Sequence, residues 1–509
     1  MIQTVFVTGA TGVMGSETLR LLAAEPDKFK VRVLARPGRK NEKKLAPYIK
    51  KGVAVTYGDL LNYEDVVRAM GNPDIVLHIG GMVSPHADHF PAKTLRVNIR
   101  AAENIVKAVK ALPDPDAVRV VYIGSVAQIS SRHEPLHWGR SGDPLIASVY
   151  DYYGVSKILA ERVFAESGLK RWVSLRQSGI LHPGLLMKGS DVITFHVPLR
   201  GVLEWATLED SGRLMRGICN PDIPDTFWRN FYNIGSGEHY RLSNYRFEQL
   251  LLKAVGCPRP EKVFDPEWFA TRNFHGCWYT DSDRLNEIIP FRANIPAEEY
   301  FDSMAAKLPW YFHLAPIAPP FAIKAAMKMI AMTPKTGTLS WSRRGDNPNR
   351  LRAFFGSDEA RAAIPGWKEA DLSEPSFTPT LISHGYDETK PLESLTIADL
   401  KGVAKFRGGK LIAPDAADSD TIDPDVPMEW ECAFGHRFAL RPRSVLLGGH
   451  WCPECIPANP FFPIGEEGGE GPRLSAWRYD EEAKKNPFLA QVWQIAHSPE
   501  ESEPYISEI

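Results

Sequence analysis

Cysteine is scarce in this chain: there are six in 509 residues, and three of them fall near the C-terminal end. So few, so dispersed, exclude a disulfide scaffold and point to a reducing compartment, the cytoplasm. Net charge is nearly absent, −2 from 60 basic and 62 acidic residues, so no overall field draws the protein to nucleic acid or to a membrane surface. No apolar run approaches the roughly 18 residues that a spanning helix needs. Met1-Ile2-Gln3 leads straight into a β-rich stretch, and no signal segment is expected. A hydrophobic share of 44% with 24% charged residues fits a globular protein. The chain is too long for one core, so a large domain and at least one smaller one are expected.

What is present begins with Thr8-Gly9-Ala10-Thr11-Gly12-Val13-Met14-Gly15, between Val5-Phe6-Val7 and a leucine-spaced helical run. Strand, glycine turn and helix in that order form a phosphate cradle. Gly9 allows the turn, Gly12 lets backbone N–H groups approach a pyrophosphate, and Gly15 lets the helix pack on the strand. Thr11, Val13 and Met14 are the further candidate contacts along the loop. Continuous apolar runs at 31–35, 53–57, 74–78 and 118–123, with a helix predicted over 96–112, alternate with helical segments. This is the signature of a parallel sheet covered on both faces: an α/β, Rossmann-type, doubly wound fold. An acid is missing where an NAD site usually places one, after the second strand. Arg36 stands there instead, with Arg39 and Lys40 close by, so the expected cofactor is NADP rather than NAD.

Ser125 follows Ile123-Gly124 at the carboxyl end of the fifth strand, and Tyr153-Gly-Val-Ser-Lys157 opens a later helix. Tyr153 and Lys157, four apart, share a helix face. An ammonium beside a phenol favours the phenolate, so Tyr153 suits proton transfer to or from a carbonyl oxygen. Ser125 can hold that oxygen, and Lys157 can also bind cofactor ribose hydroxyls.

The glycine loop, Asp59, Asn98, Ser125 and the Tyr153/Lys157 pair together resemble the extended short-chain dehydrogenase/reductase family, also called the NAD-dependent epimerase/dehydratase family. The resemblance covers roughly residues 1–310. It implies a Rossmann core with a smaller substrate lobe and a Ser125/Tyr153/Lys157 triad. Asp59 and Leu60 would lie against adenine, Gly80, Gly81 and Asn98 would border the cofactor, and a homodimer would form through the helices carrying Arg96 and Tyr153. Residues 175–180 and 231–237 match later segments of the family. Nucleotide-sugar epimerases usually carry asparagine where this chain has Gly179, and the basic loop at Arg36 is closer to the reductase branch. The expected activity is therefore NADP-dependent reduction of a ketone or aldehyde, or the reverse oxidation. Epimerase/dehydratase chemistry and a non-catalytic NADP sensor or scaffold are the alternatives.

Residues 311–394 read as a proline-rich helical connector. The amphipathic stretch within 309–334 is expected to pack on the substrate lobe or another subunit rather than on a membrane. In 395–460, Cys432-x-x-x-His436 and Cys452-Pro-Glu-Cys455 have the paired spacing of a structural zinc site with three thiolates and one imidazole, and the stretch resembles zinc-ribbon or treble-clef modules. His450 is a reserve ligand. Upstream acids make a nucleic-acid role the weaker option. Residues 461–509 read as a helix, about 482–495, and an acidic tail.

Overall fold

The glycine-rich opening folds as strand β1 (Gln3–Thr8) and helix α1 (Val13–Leu22) in the computed structural model. Residues 2–453 are described, apart from 85–86, 88–89, 130, 133, 149–150, 188–190, 311, 313–316, 344–347, 414 and 433–434. Cys455 and the expected 482–495 helix lie outside the described residues.

Next come β2 (Phe29–Ala35), α2 (Arg39–Ile49), β3 (Ala54–Tyr57), α3 (Tyr63–Met70), β4 (Ile75–His78), α4 (Pro91–Lys110), β5 (Arg119–Ser125), α5 (Tyr152–Ala165), β6 (Trp172–Gln177) and β7 (Asn230–Ile234). The seven strands form one parallel sheet in the order β7-β6-β5-β4-β1-β2-β3. The order reverses between β1 and β4. In open α/β sheets the ligand crevice lies outside the carboxyl ends of the strands at such a point. The strands are nearly continuous Val, Ile and Leu because helices cover both faces. One core gathers Val7, Leu19, Val33 and Met215, the other Phe6, Val76, Ile105 and Phe164.

Helix α4 starts at Pro91, five residues before its expected start at 96, with the proline in the first turn. A first-turn proline has its φ already set for a helix and needs no N–H partner there. The substrate lobe includes α6 (Asn244–Ala254), and its core joins Leu181, Tyr240, Phe247 and Phe301.

The expected connector is a packed layer. Trp341, Leu351 and Phe354 share a core with Leu136 and Ala270. Ile323, Met327 and Ile330 pack beside Phe264 and Trp268 of the lobe, while Phe321 and Met329 of the same helix face outward. Among the described residues no helix is long and apolar enough to cross a membrane.

The C-terminal module consists of α7 (Ile397–Phe406) and an antiparallel sheet of β8 (Lys410–Ile412), β9 (Met428–Glu431) and β10 (Arg437–Leu440). Its core is built around Trp430, with Leu400, Leu440 and Trp451. The module docks on the back of α5. Arg441 donates to Glu166 at 2.9 Å, Ser444 donates to the same carboxylate, and Arg162 donates to the Trp451 carbonyl. No residue of α5 is left fully exposed.

Candidate active site

The turn after β1 leaves no room for side chains. Gly9 has φ +72°, and a Cβ there would lie 2.7 Å from the Gly80 backbone. A Cβ on Gly15 would lie 2.1 Å from the Gly9 carbonyl oxygen. This cradle fits a dinucleotide pyrophosphate at a helix N-terminus. The Thr8 hydroxyl accepts from Gly80 N at 3.0 Å and meets His78 Nδ1 at 2.9 Å, which locks β1 to the end of β4.

From this turn a cleft of about 1250 Å³ runs into the substrate lobe. It brings together Gly9 through Gly15, Arg36, Asp59, Leu60, Gly80, Gly81, Ser125, Tyr153 and Lys157, residues spread over 149 positions of sequence. Asn98 is set behind the wall. Its amide donates to Ser156 Oγ at 2.8 Å and its carbonyl accepts from Met82 N at 2.8 Å, so it pins the loop after β4 to α5. Arg36, Arg39 and Lys40 are exposed at the rim. Lys44, which the sequence reading did not single out, reaches over the turn and donates to the Thr11 carbonyl at 2.7 Å.

Ser125 caps the short turn that follows β5: its Oγ accepts from Ala127 N at 3.2 Å, which leaves the hydroxyl proton to donate. Helix α5 sits close beneath, since a Cβ on Gly154 would lie 2.3 Å from the Ala127 carbonyl. Asp151 caps α5 through Gly154 N at 2.7 Å. Lys157 is buried, donates to the Ile123 carbonyl at 2.8 Å, and holds its nitrogen 5.9 Å from the Tyr153 ring centre. Burial lowers its ammonium to about 8, and Glu161, one turn further on, counters part of that.

His275 also lines the cleft. Its Nδ1–H donates to Asp151 at 2.6 Å, so the carboxylate that starts the Tyr153 helix also orients an imidazole. It lies 122 residues beyond Tyr153, and no local pattern marks it. Gly179 faces the Trp205 ring, 2.6 Å from where its Cβ would be. Asparagine does not fit there with the indole in place.

In the C-terminal module, His436 Nδ1 lies 3.4 Å from Cys432 Sγ and 3.7 Å from Cys452 Sγ, all three within 4.8 Å of one another. Tetrahedral zinc with ordinary Zn–S and Zn–N bonds has ligand–ligand edges of about 3.6 Å, so the three groups fit that metal. His450 is elsewhere. It is buried, and its Nε2 meets Glu161 Oε1 at 2.9 Å. Arg176 grips the same carboxylate at 2.7 and 3.0 Å and donates to the Gly448 carbonyl at 2.5 Å. The reserve ligand is thus a docking residue that holds the C-terminal module against α5.

Residues 5–176 match the model of the NAD dependent epimerase/dehydratase family. A 2-alkyl-3-oxoalkanoate reductase of Shewanella oneidensis is 31% identical over 163 residues, 32% of this chain and 38% of that protein. A UDP-glucose 4-epimerase of Rickettsia massiliae is 27% identical over 110 residues, 21% of this chain and 32% of that protein. The 3 beta-hydroxysteroid dehydrogenase type 7 of Rattus norvegicus is 26% identical over 235 residues, 44% of this chain and 67% of that protein. The chain thus spans about a third of the length of the first two of these relatives. Among solved structures, a dTDP-glucose 4,6-dehydratase of Bacillus anthracis in complex with NAD is similar at a TM-score of 0.48 and 14% identity, over 61% of this chain and 96% of that one.

Proposed function

We propose that the chain is an NADP-dependent oxidoreductase that reduces a ketone or aldehyde, or oxidises the corresponding alcohol. The observation that carries this reading is one cleft shared by the glycine cradle and by Ser125, Tyr153 and Lys157. Bound NADPH would supply the hydride. Ser125 donates a hydrogen bond to the carbonyl oxygen, Tyr153 passes its phenolic proton to that oxygen, and the Lys157 ammonium favours the resulting phenolate. Arg36, assisted by Arg39 and Lys40, would hold the adenosine 2′-phosphate.

Gly179 and Trp205 support the reductase side over a nucleotide-sugar epimerase, because the indole occupies the space an asparagine would need. The names of the Shewanella and rat relatives also denote oxidoreduction of carbonyl or hydroxyl groups on largely apolar molecules. One structural zinc is assigned to Cys432, His436 and Cys452, with Cys455 as the fourth ligand.

The test is consumption of NADPH with a panel of ketones and aldehydes, by wild type and Tyr153→Phe. Turnover is expected to fall on the order of 10²–10⁴-fold in the variant while NADPH still binds. A variant that turns over at the wild-type rate removes Tyr153 from the chemistry. Nucleotide-sugar conversion with no net NADPH consumption would establish epimerase/dehydratase chemistry instead.

A further inference from the structure

Much of the cleft wall in the substrate lobe is apolar. Val197, Leu203, Leu242 and Leu251 line it, and Trp205 and Phe247 form a plate there, their rings stacked 4.6 Å apart at 9°. Helix α6 presents Asn244, Phe247, Glu248 and Leu251 to this space, the spacing of one helix face. Asn244 spends its amide on the Val197 carbonyl at 3.1 Å. Glu248 is 4% exposed and makes no hydrogen bond or ion pair among the described residues. Among the other polar groups along the cleft, Asp191 accepts from Ile193 N, His182 accepts from Gly184 N, and His275 donates to Asp151.

A buried carboxyl without a partner costs the fold free energy and returns none. We propose that Glu248 sets the specificity of the cleft by hydrogen-bonding an uncharged hydroxyl or carbonyl group carried by an otherwise apolar substrate, at a point remote from its reacting carbonyl. The proposal rests on reading the cleft as a carbonyl-reducing site. Burial alone pushes the Glu248 carboxyl up to about 8, so at neutral pH it is an uncharged acid able both to donate and to accept. The stacked plate beside it suits a long or flat hydrocarbon body, which would exclude water and strengthen that one polar contact.

The experiment uses straight-chain 2-alkanones of about six to twelve carbons, each with and without a terminal hydroxyl, titrated calorimetrically into NADPH-saturated protein. At the best chain length the hydroxylated ketone should bind wild type roughly tenfold tighter than its plain partner. Glu248→Gln should keep that ratio, and Glu248→Leu should bring it close to one. Without substrate, Glu248→Leu should melt no lower than wild type, since it removes a buried polar group that has no partner. A ratio near one in wild type at every length, a ratio unchanged in Glu248→Leu, or no binding of any probe overturns the proposal. A preference for ω-amino-2-alkanones that Glu248→Gln abolishes would also overturn it, by making the group a charged carboxylate. NADPH consumption is scored separately. A Glu248-dependent binding preference with no reduction of any ketone would sink the carbonyl-reducing reading and leave the contact standing.

Discussion

Lys157 meets two opposed demands, a charge beside Tyr153 and burial beneath the cleft. In the unfolded chain its ammonium keeps its proton up to the ordinary value of 10.5; in the fold it keeps it only to about 8. Below pH 8 both states are charged and the fold carries the cost of burial. Between the two values only the unfolded state stays protonated, so that cost is relieved as pH rises. The stability of wild type relative to Lys157→Met should therefore move in favour of wild type between about pH 7.5 and pH 10, measured by urea unfolding of the cofactor-free protein. A difference that does not change with pH would contradict the assigned burial of the charge. At the rim, Arg36→Ala should lower the preference for NADPH over NADH by roughly tenfold, the scale of one lost charge-assisted hydrogen bond; titration of both cofactors checks it, and an unchanged ratio ends the assignment to Arg36. Arg36, Ser125, Tyr153 and Lys157 were legible in the sequence because each sits at a fixed offset from a strand end or from one another. His275 and Glu248 were not. They enter the cleft from the substrate lobe, and only the tertiary fold makes their chemistry visible.

The opening elements were the most readable part of the fold, since parallel strands buried on both sides must be apolar throughout and the cradle must be glycine. Boundaries were less so: α4 begins at Pro91, and β5 runs on to Ser125. The cradle itself is unforgiving. A methyl at position 15 would meet the Gly9 carbonyl at 2.1 Å, and the obstacle is backbone, which no rotamer change relieves. Gly15→Ala should destabilise the protein by about 1–3 kcal/mol and weaken both NADPH and NADH binding. Thermal melting paired with cofactor titration tests this, and near-normal affinity for either cofactor would show that α1 can shift without losing the phosphate site.

Across the whole molecule, the less readable relation is the one between the two ends of the chain. The cysteine pairs marked the C-terminal module, but nothing local announced that it would dock behind α5. The Glu161 carboxylate, fully buried, binds both Arg176 and His450, and His450 stands two residues from Cys452. Loss of a metal held beside His450 would therefore reach α5. Cys452→Ser is expected to release one zinc per chain, expose the module to protease, and raise hydrogen exchange along α5, with turnover falling as a result. Unchanged exchange in α5 after metal loss would separate the module from the active site. A folded wild type without zinc would remove the metal from the account.

His450 follows Glu161 by 289 residues. At a synthesis rate of about 5–20 residues per second, that separation amounts to roughly 15–60 s. Throughout this interval on the ribosome, the emerging dinucleotide-binding half holds Glu161 and Arg176 without the imidazole and the Gly448 carbonyl that complete their set. The helix carrying Tyr153 and Lys157 is clasped last, so the timetable of translation leaves α5 without these partners until the C-terminal module has emerged. A nascent chain stalled before that point presents the back of α5 to chaperones and proteases.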